Sequence, residues 1–243
     1  MNEKTFTKYQ SRGAYHWRQV EKNIFTYSSF VAARYHQVIS QLPRDKSLKV
    51  LDLGCGDGVL IYLASQKHPG EFTGVDTDAL SLKAARRQLQ NRGVAAKLIK
   101  ASAYHLPFPE NSFDVVIAAE VIEHLRSPQK MLTEAAKVLK PGGKMILTTP
   151  VKIGTKLSDT LHAQEFSPRE LESSLARYFN QVDVKTSHPL WLKKLYLWRV
   201  GKLGRFYLEP FRLTINLWVM ITNLNPFLLN LGPPTNQLAI CRK

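Results

Sequence analysis

The stretch Val50-Leu51-Asp52-Leu53-Gly54-Cys55-Gly56-Asp57-Gly58 decides the fold, together with Gly74-Val75-Asp76 further along the chain. An apolar run ends in a glycine-rich bend, a helix-like segment follows, and a second short apolar run closes on an acid. Glycine lets the backbone take positive φ and lets a ligand approach without a Cβ in the way. An acid at the tip of the next parallel strand can accept two hydrogen bonds from a ribose diol. The sequence therefore predicts a nucleoside site at the carboxyl edge of an α/β sheet.

The spacing of the glycines excludes two familiar nucleotide sites. A dinucleotide fingerprint needs G-x-G-x-x-G/A, but the third small position, counted from Gly54, is Val59. A phosphate loop needs G-x-x-x-x-G-K-[ST], and no Lys-Ser or Lys-Thr follows these glycines. The pattern that remains is D-x-G-x-G-x-G. A tight turn alone would also use glycine, but the succession of strand, turn, helix, strand and acid favours a binding site.

Length and composition indicate one large globular domain with an elaboration. The chain has 243 residues, of which 44% are hydrophobic and 22% are charged, so it can bury a substantial core. Of its two cysteines, Cys55 lies in the glycine turn, which favours a reducing compartment over a disulfide. The first residues lack the apolar run of a secretory signal. We therefore expect a cytoplasmic protein.

The charge balance of the chain is strongly basic. The 34 Lys and Arg residues outnumber the 19 Asp and Glu residues, for a net charge of +15. Such an excess favours polyanionic partners, such as nucleic acid or an anionic membrane surface. A solvated basic surface without a dedicated partner is the alternative, and the total charge alone leaves both open.

Strands and helices alternate along the chain. We predict strands over residues 48–53, 72–75, 96–99, 115–119 and 144–148, with helices over 60–66, 79–91 and 128–139. Before them, residues 20–41 predict one helix that ends at Pro43. Ser127-Pro128 marks a helix start, with the serine hydroxyl as N-cap and the proline in the first turn. The alternation predicts an α/β fold with a doubly wound, mostly parallel sheet.

Three later segments extend the glycine motif into a larger pattern. They run from Leu106-Pro107-Phe108 to Phe113-Asp114, then through Glu120-Val121-Ile122-Glu123-His124-Leu125, then through Val138-Leu139-Lys140-Pro141-Gly142-Gly143. With these segments, residues 48–186 resemble the class I S-adenosylmethionine-dependent methyltransferases, and in particular the small-molecule enzymes of the ubiquinone/menaquinone-biosynthesis type. The resemblance implies S-adenosyl-L-methionine as cofactor.

The resemblance also implies a domain organisation. It predicts a Rossmann-like sheet of seven strands, with residues 182–186 and 237–241 as the last two and the final strand antiparallel. We expect an N-terminal helical cover, a cofactor-binding core, a basic aromatic helical insert and the final strand of the core, over residues 1–46, 47–186, 187–235 and 236–243.

Cofactor contacts follow from the resemblance position by position. Four residues of the first motif would surround the methionine part of the cofactor: Asp52, Gly54, Cys55 and Gly56. Asp76 would hold the ribose hydroxyls, with Thr77 beside it. Family members often place an acid near the adenine amine, but here Ser102 and Ala103 stand there, so we expect backbone and apolar contacts to adenine. Glu120 would lie at the tip of the fourth strand, where methyl donor and acceptor meet.

Two histidines are candidates for the catalytic base. Displacement at a sulfonium needs mainly alignment and exclusion of water, while an alcohol or phenol acceptor also benefits from a base. His124 follows the strand tip, and His162 lies in the loop that borders the acceptor pocket in similar enzymes. A purely structural histidine is the alternative at both positions. Some related quinone O-methyltransferases hold a divalent ion with an E-x-x-E-H segment, which Glu120, Glu123 and His124 match, but we predict no metal here. His16 is a candidate for an N-terminal lid.

The predicted insert over residues 187–235 combines positive charge with aromatic side chains. It holds six basic residues against the single acid Glu209, and eight aromatics are interleaved with them. Basic amphipathic helices that carry Trp and Phe suit a membrane interface, and the apolar runs are too short to span a bilayer. An ordinary helical cap over the acceptor pocket is the alternative. We expect a cap that also touches an anionic membrane surface, on the inner face of the membrane.

Three functions fit the sequence. The first is a methyltransferase acting on a lipid-like, quinone-like or glycolipid small molecule, at oxygen. The second is an RNA methyltransferase, which the charge favours, although the fourth strand ends in Ala119-Glu120-Val121 rather than the Asn/Asp-Pro-Pro-aromatic tip of amino-group base methylases. The third is a non-catalytic protein, either one that binds the cofactor or a membrane-associated scaffold.

Overall fold

The computed structural model describes residues 13–44, 47–203 and 206–243. Residues 1–12 and 45–46 of the predicted N-terminal cover, and residues 204–205 of the predicted insert, lie outside the described residues. The prediction about a secretory signal falls mainly on the first of these segments.

The strands form one large sheet and a small hairpin. They are β1 Leu48–Leu53, β2 Gly70–Asp76, β3 Ala96–Lys100, β4 Phe113–Ala119, β5 Leu139–Pro150, β6 Gln181–Pro189, β7 Gly201–Leu203, β8 Phe206–Leu208 and β9 Pro234–Arg242. The large sheet has the order β3-β2-β1-β4-β5-β9-β6, and only β9 runs antiparallel to its neighbours. The predicted α/β fold of seven strands with an antiparallel final strand is confirmed. Because β1, β2 and β4 are parallel, their carboxyl ends meet at one edge, where ligands bind in such sheets.

Eight α-helices occur in the described residues. They are α1 Tyr15–Val20, α2 Ser29–Ile39, α3 Val59–Ser65, α4 Ala79–Gln90, α5 Pro128–Val138, α6 Pro168–Leu175, α7 Leu190–Tyr196 and α8 Pro210–Thr222. Short 3₁₀ turns cover Ile122–His124 and Pro226–Leu228. Two helices, the β7–β8 hairpin and a 3₁₀ turn lie between β6 and β9, where the sequence predicted a helical insert.

Two local predictions about helices were wrong. The helix predicted over residues 20–41 begins only at Ser29, as α2, because the Ser28 hydroxyl accepts the N–H of Val31 and caps it there, while α1 ends at Val20. The hydroxyl of Ser127 does not cap α5. Instead the Ser127 N–H donates to the Tyr104 hydroxyl, which fixes the chain where the helix begins. In contrast, Ser167 starts α6 with a complete capping box.

Alternating side chains of the strands form a core on each face of the sheet. Val116 and Leu147 belong to one apolar cluster, while the adjacent Val115 and Ile146 belong to the other. All four are buried. Since successive side chains of a strand point to opposite faces, continuous apolar strands indicate a sheet covered by helices on both sides.

The N-terminal helices and the insert are joined into a single layer, which we call the roof: residues 13–39 and the described part of residues 190–231. Ala33 of α2 packs in one buried cluster with Tyr196 and Phe227 of the insert. The Asn216 side-chain oxygen accepts the Ser29 hydroxyl at 2.8 Å and the Tyr196 hydroxyl at 2.8 Å. The roof is therefore fastened by a buried polar network as well as by apolar contact.

Candidate cofactor and acceptor site

A cavity of about 1340 Å³ opens at the carboxyl edge of the sheet, below the roof. Its lining includes every residue that the sequence predicted for cofactor binding or catalysis: Asp52, Gly54, Cys55, Gly56, Asp76, Thr77, Ser102, Ala103, Glu120, His124 and His162. The roof adds His16, Phe30, Arg34 and Lys193 to the same lining. One continuous space thus joins the predicted cofactor residues to the predicted bases.

The glycine turn after β1 has a shape that other residues would disturb. Gly54 has φ +68°, and a Cβ built there would lie 2.7 Å from the Val121 side chain. Its N–H and that of Cys55 donate to the carbonyl of Val75, at 2.7 and 3.0 Å. The turn is therefore fixed to the end of β2 and presents bare backbone to the cavity.

Asp76 lies at the tip of β2 with its carboxylate held by backbone. One oxygen accepts the N–H of Gly56 at 2.9 Å and the other accepts the N–H of Asp78 at 2.8 Å. Burial raises the pKa of Asp76, although both backbone bonds act in the opposite direction. Each oxygen keeps a second lone pair, so the arrangement fits a ribose diol that donates two hydrogen bonds.

Asp52, at the end of β1, fits a positively charged ligand. The residue is 3% exposed, and within the described part of the chain its Oδ2 atom has no hydrogen-bond partner. Burial, and next the charge of Asp76, raise the pKa of Asp52 to about 8. A bound ammonium or sulfonium would favour the ionised carboxylate. The methionine part of S-adenosylmethionine carries both cations.

The adenine end of the predicted site has no acidic side chain at Ser102 and Ala103. The Ser102 hydroxyl accepts the N–H of Tyr104 at 3.2 Å. A contact to adenine through backbone and apolar groups therefore stays a prediction.

Helix α1 closes the cavity over the glycine turn. The carboxylate of the fully buried Asp57 accepts the His16 N–H at 3.1 Å and lies 3.2 Å from His16 Nδ1. The Trp17 indole N–H donates to the Asp57 carbonyl at 2.8 Å. His16, the predicted lid residue, is thus bound directly to the turn. Asp57, which binds α1 to the turn, was not among the site residues predicted from the sequence.

Two glutamates beyond β4 have different surroundings. Glu120 has a left-handed φ of +57° and forms an ion pair with Arg34 of α2. Glu123 is 1% exposed and accepts the Thr149 hydroxyl at 3.0 Å. Burial, and next the charge of Glu120, raise the pKa of Glu123 well above its usual range. Of the two glutamates, Glu120 is thus the one that has a cationic partner.

His162 and Glu165 form a hydrogen-bonded pair beside His124. The His162 Nδ1 atom lies 2.6 Å from Glu165 Oε1. Burial alone would raise the pKa of Glu165, but hydrogen bonds from Ser158 and His162 outweigh it and lower that pKa. Glu165 is therefore a carboxylate that orients the imidazole and leaves the lone pair of a neutral His162 on Nε2.

His124 has the same arrangement of its ring. Its Nδ1 atom lies 3.2 Å from the carbonyl of Leu161, which accepts only, so the proton sits on Nδ1. The rings of His124 and His162 meet edge to face, with 5.1 Å between their centroids. The structure thus brings the two predicted bases together in the half of the cavity beyond β4.

The two histidines also have the spacing of metal ligands. Among the described residues, Glu123, His124 and His162 each offer a ligand atom, and these atoms lie within 4.8 Å of one another. Glu120, which the sequence grouped with Glu123 and His124 in the E-x-x-E-H segment, pairs with Arg34 instead. The absence of a metal stays a prediction, and a chelation experiment below tests it.

Several residues of the acceptor half, by which we mean the part of the cavity beyond β4, were not predicted from the sequence. Arg34 and Lys193 come from the roof, Glu165 from the loop before α6, and Asn236 from β9. None lies in a motif of the family pattern. The spacing His-x-x-Glu of residues 162 and 165 is the only local signal, and it is too common to be diagnostic.

The fold, the cavity and comparisons with known proteins define the class. Residues 51–147 match the family model described as "Methyltransferase domain". These residues therefore form a methyltransferase domain, and S-adenosylmethionine is the cofactor of such domains.

Among relatives, the demethylmenaquinone methyltransferase of Lactiplantibacillus plantarum is 37% identical over 114 residues, which are 45% of this chain and 48% of that protein. The ubiquinone biosynthesis O-methyltransferase of Pectobacterium carotovorum is 34% identical over 102 residues, which are 42% of each chain. This chain therefore spans less than half the length of these curated relatives.

Among solved structures, phosphoethanolamine N-methyltransferase 2 of Haemonchus contortus, in complex with S-adenosyl-L-methionine, superposes with a TM-score of 0.67. The likeness covers 98% of this chain and 59% of that one at 18% identity, so it shows the fold alone.

Proposed function

We propose that this protein transfers the methyl group of S-adenosylmethionine to an oxygen atom of a small-molecule acceptor with a lipid-like part. The observation that carries the proposal is the single cavity, which joins the Asp52 and Asp76 carboxylates to the pair His124 and His162. The relatives reported above, named for demethylmenaquinone and for ubiquinone biosynthesis, support an acceptor of quinone-like chemistry.

His162 would act as the base in this reaction. A carboxylate that accepts the Nδ1–H of an imidazole stabilises the charge that the ring gains when Nε2 takes a proton. Glu165 supplies that carboxylate at 2.6 Å. His124, in edge contact with the His162 ring, would share the role or position the acceptor hydroxyl. The sulfonium is already activated, so the protein contributes alignment, proton removal and exclusion of water.

The outer face of the roof supports a lipid-like acceptor and a membrane surface as partner. Exposed large apolar side chains concentrate between residues 191 and 231, with Trp198 at 53% and Trp218 at 55% exposure. On α8, Leu217, Trp218 and Ile221 lie on one exposed stripe at helical spacing, while Asn216 and Val219 are buried. Within the described residues, no helix has the length and hydropathy to cross a bilayer. An interfacial surface of this kind binds by its aromatic groups and its positive charge.

Transfer of a labelled methyl group tests the proposed reaction. The protein is incubated with radiolabelled S-adenosylmethionine and a cell extract separated into lipid, polar metabolite, RNA and protein fractions. Label in the lipid fraction, as an alkali-stable ether, supports the proposal. Label in RNA would favour the alternative that the net charge of +15 raises. Cofactor binding in calorimetry without any transfer would favour a non-catalytic binding protein.

Vesicle flotation tests the membrane surface separately. We expect the protein to float with vesicles that contain phosphatidylglycerol, and the double variant Trp198→Ser, Trp218→Ser to lose most of that binding. Phe25→Ser is the matched control, because Phe25 is 75% exposed but lies outside the insert. Equal flotation of both variants, or none by the native chain, would remove the membrane from the proposal.

A further inference from the structure

Two buried polar atoms in the lining of the cavity have no hydrogen-bond partner among the described residues. Asn236 is 2% exposed and Thr148 is fully buried, and both line the cavity. Within residues 13–44, 47–203 and 206–243, neither Asn236 Nδ2 nor Thr148 Oγ1 has a hydrogen-bond partner. A buried donor without an acceptor destabilises the fold, because it loses its hydrogen bonds to water without replacement. Such a cost is expected where a ligand supplies the missing acceptor.

The sheet register places these two donors side by side. In the antiparallel pair of β5 and β9, Thr148 lies opposite Leu238 and Pro150 lies opposite Asn236. Thr148 and Asn236 are therefore diagonal neighbours on one face of the sheet, within reach of a single small group. It is the face on which α2 packs, since Leu238 belongs to the cluster that holds Val38 and Ile39.

Two cations of the roof line the same cavity. Arg34 and Lys193 lie near the Phe30 ring, with the Arg34 Cζ atom 5.1 Å and the Lys193 Nζ atom 5.2 Å from its centroid. Arg34 is paired with Glu120, whereas Lys193 has no carboxylate within 4.0 Å in the described part of the chain. The pKa of Lys193 is lowered, first by burial and next by the charge of Arg34, although the nearby carboxylates act the other way.

The two cations lie close enough for the charge of Arg34 to act on Lys193. His188, beneath the roof, is neutral because burial, and next the charge of Arg34, lower its pKa to about 3. Besides Glu120, which pairs with Arg34, the carboxylate of Glu165 acts on Lys193. An anion between the two cations would relieve their repulsion and accept from the two unpartnered donors.

We propose that Asn236, Thr148, Lys193 and Arg34 form a subsite for an oxyanion, either a carboxylate or a phosphate group, on the methyl acceptor. This assignment rests on the proposed function, since it specifies what the acceptor carries beside its methylated oxygen. It distinguishes the acceptor from a neutral quinone. A planar carboxylate and a tetrahedral phosphate share the required chemistry, with several acceptor atoms and at least one negative charge.

Binding of small model compounds tests the subsite without any methyl transfer. The full chain, saturated with S-adenosylhomocysteine, is titrated with benzoate, phenyl phosphate and benzyl alcohol and followed by ligand-observed NMR. We expect one or both anions to bind at least about tenfold more tightly than the neutral alcohol, because hydrogen bonds to a charged group are stronger than those to a neutral one. The stronger of the two anions identifies the carboxylate or the phosphate as the group recognised.

Substitutions locate the binding. Lys193→Met removes a charge, and Asn236→Asp keeps the size of the side chain but replaces a donor with a negative charge. Each should weaken anion binding at least about tenfold. Thr148→Val, of equal size, is a milder second test inside the core and should weaken it less. Lys194→Met is the matched control on the same helix, since Lys194 is exposed and does not line the cavity.

The outcomes separate this inference from the proposed function. If anions bind no better than benzyl alcohol, or if Lys193→Met and Asn236→Asp bind them as the native chain does, the subsite does not exist. Failure of the native chain to bind S-adenosylhomocysteine would refute the proposed function instead. Thermal melting and S-adenosylhomocysteine affinity show which variants remain folded. If Lys193→Met or Asn236→Asp does not fold, anion binding by Thr148→Val tests the subsite in its place.

Discussion

The donor half and the acceptor half of the cavity are built in different ways. In the donor half, Asp76 and the glycine turn are held by backbone groups of β1 and β2. In the acceptor half, side chains from α2, from the segment after β4, from the loop before α6 and from the insert converge. A contiguous motif with backbone bonds suits a cofactor that many enzymes share. An assembly of distant side chains suits a substrate that is particular to one enzyme.

The largest effect is expected in the acceptor half, at His162. His162→Gln should lower the methyl-transfer rate about 10²–10⁴-fold, the usual contribution of a general base, and leave cofactor affinity unchanged. Glu165→Gln should lower the rate less and shift its pH profile, since it removes only the orienting carboxylate. Rates with the acceptor fraction and calorimetry with S-adenosylhomocysteine measure the two halves independently. If cofactor affinity fell with the rate, the two halves would not be separate.

Chelation decides between a base and a metal at the same residues. If the histidines act as bases, dialysis against EDTA leaves the rate unchanged and elemental analysis of the protein finds no bound metal. If Glu123, His124 and His162 hold a divalent ion, EDTA removes the activity and added metal restores it. The latter result would overturn our prediction that no metal is used.

In the donor half, Asp76 should matter most. Asp76→Ala should weaken cofactor binding about 100-fold, because it removes charged hydrogen bonds of about 1.5–3 kcal/mol to the ribose. Asp76→Asn keeps the size and should lose less. Asp183→Ala, at an exposed acid of β6, is the control in the same titration. Unchanged affinity in Asp76→Ala would refute the assignment of the ribose site.

A smaller effect is expected from pH at Asp52. In the free protein the pKa of this carboxyl is raised to about 8, so it is mostly protonated at pH 7. The cations of the cofactor favour the carboxylate, so binding releases a proton and affinity rises with pH until about pH 8, at most about tenfold per unit. Calorimetry in buffers of different ionisation enthalpy measures the proton released. Asp52→Asn should abolish the dependence, and an unchanged pH profile in that variant would assign it elsewhere.

The smallest effect on the site is expected from the network of the roof. Asn216→Ala leaves the hydroxyls of Ser29 and Tyr196 without their acceptor, and it should destabilise the fold by about 1–3 kcal/mol. Tyr196→Phe removes a single hydroxyl and should cost about 1 kcal/mol. Chemical denaturation measures both, and calorimetry should find cofactor affinity nearly unchanged. A large loss of affinity would mean that the roof also shapes the donor half.

The residues of the donor half could be predicted from the sequence because they lie in short contiguous motifs whose geometry is set locally. A strand followed by a turn with Gly54 and Gly56, and then by a second strand that ends in Asp76, has few alternative geometries. The order and direction of the strands followed for the same reason, since alternation of strands and helices limits the topology. The residues predicted for the cofactor therefore share one cavity in the structure.

Other residues of the acceptor half were not predicted from the sequence, because only tertiary contacts bring them to the cavity. In the sequence, Arg34 is typical of an exposed helix residue, and only the fold places Glu120 beside it. Asn236 becomes a neighbour of Thr148 only through the register of β9 against β5. Helix α1 was missed for a similar reason, because its Trp17 contacts Asp57, a residue 40 positions away in the sequence.

Helix α1 is fastened through Asp57 to the glycine turn, where we propose that the methyl donor binds. In the proposed reaction, the bonds that exclude water would also hinder the nucleoside product from leaving. In enzymes closed in this way, the opening of the cover often limits the number of cycles per second. An enzyme whose cover opens slowly in this way would have a low turnover number but would lose few activated methyl groups to water.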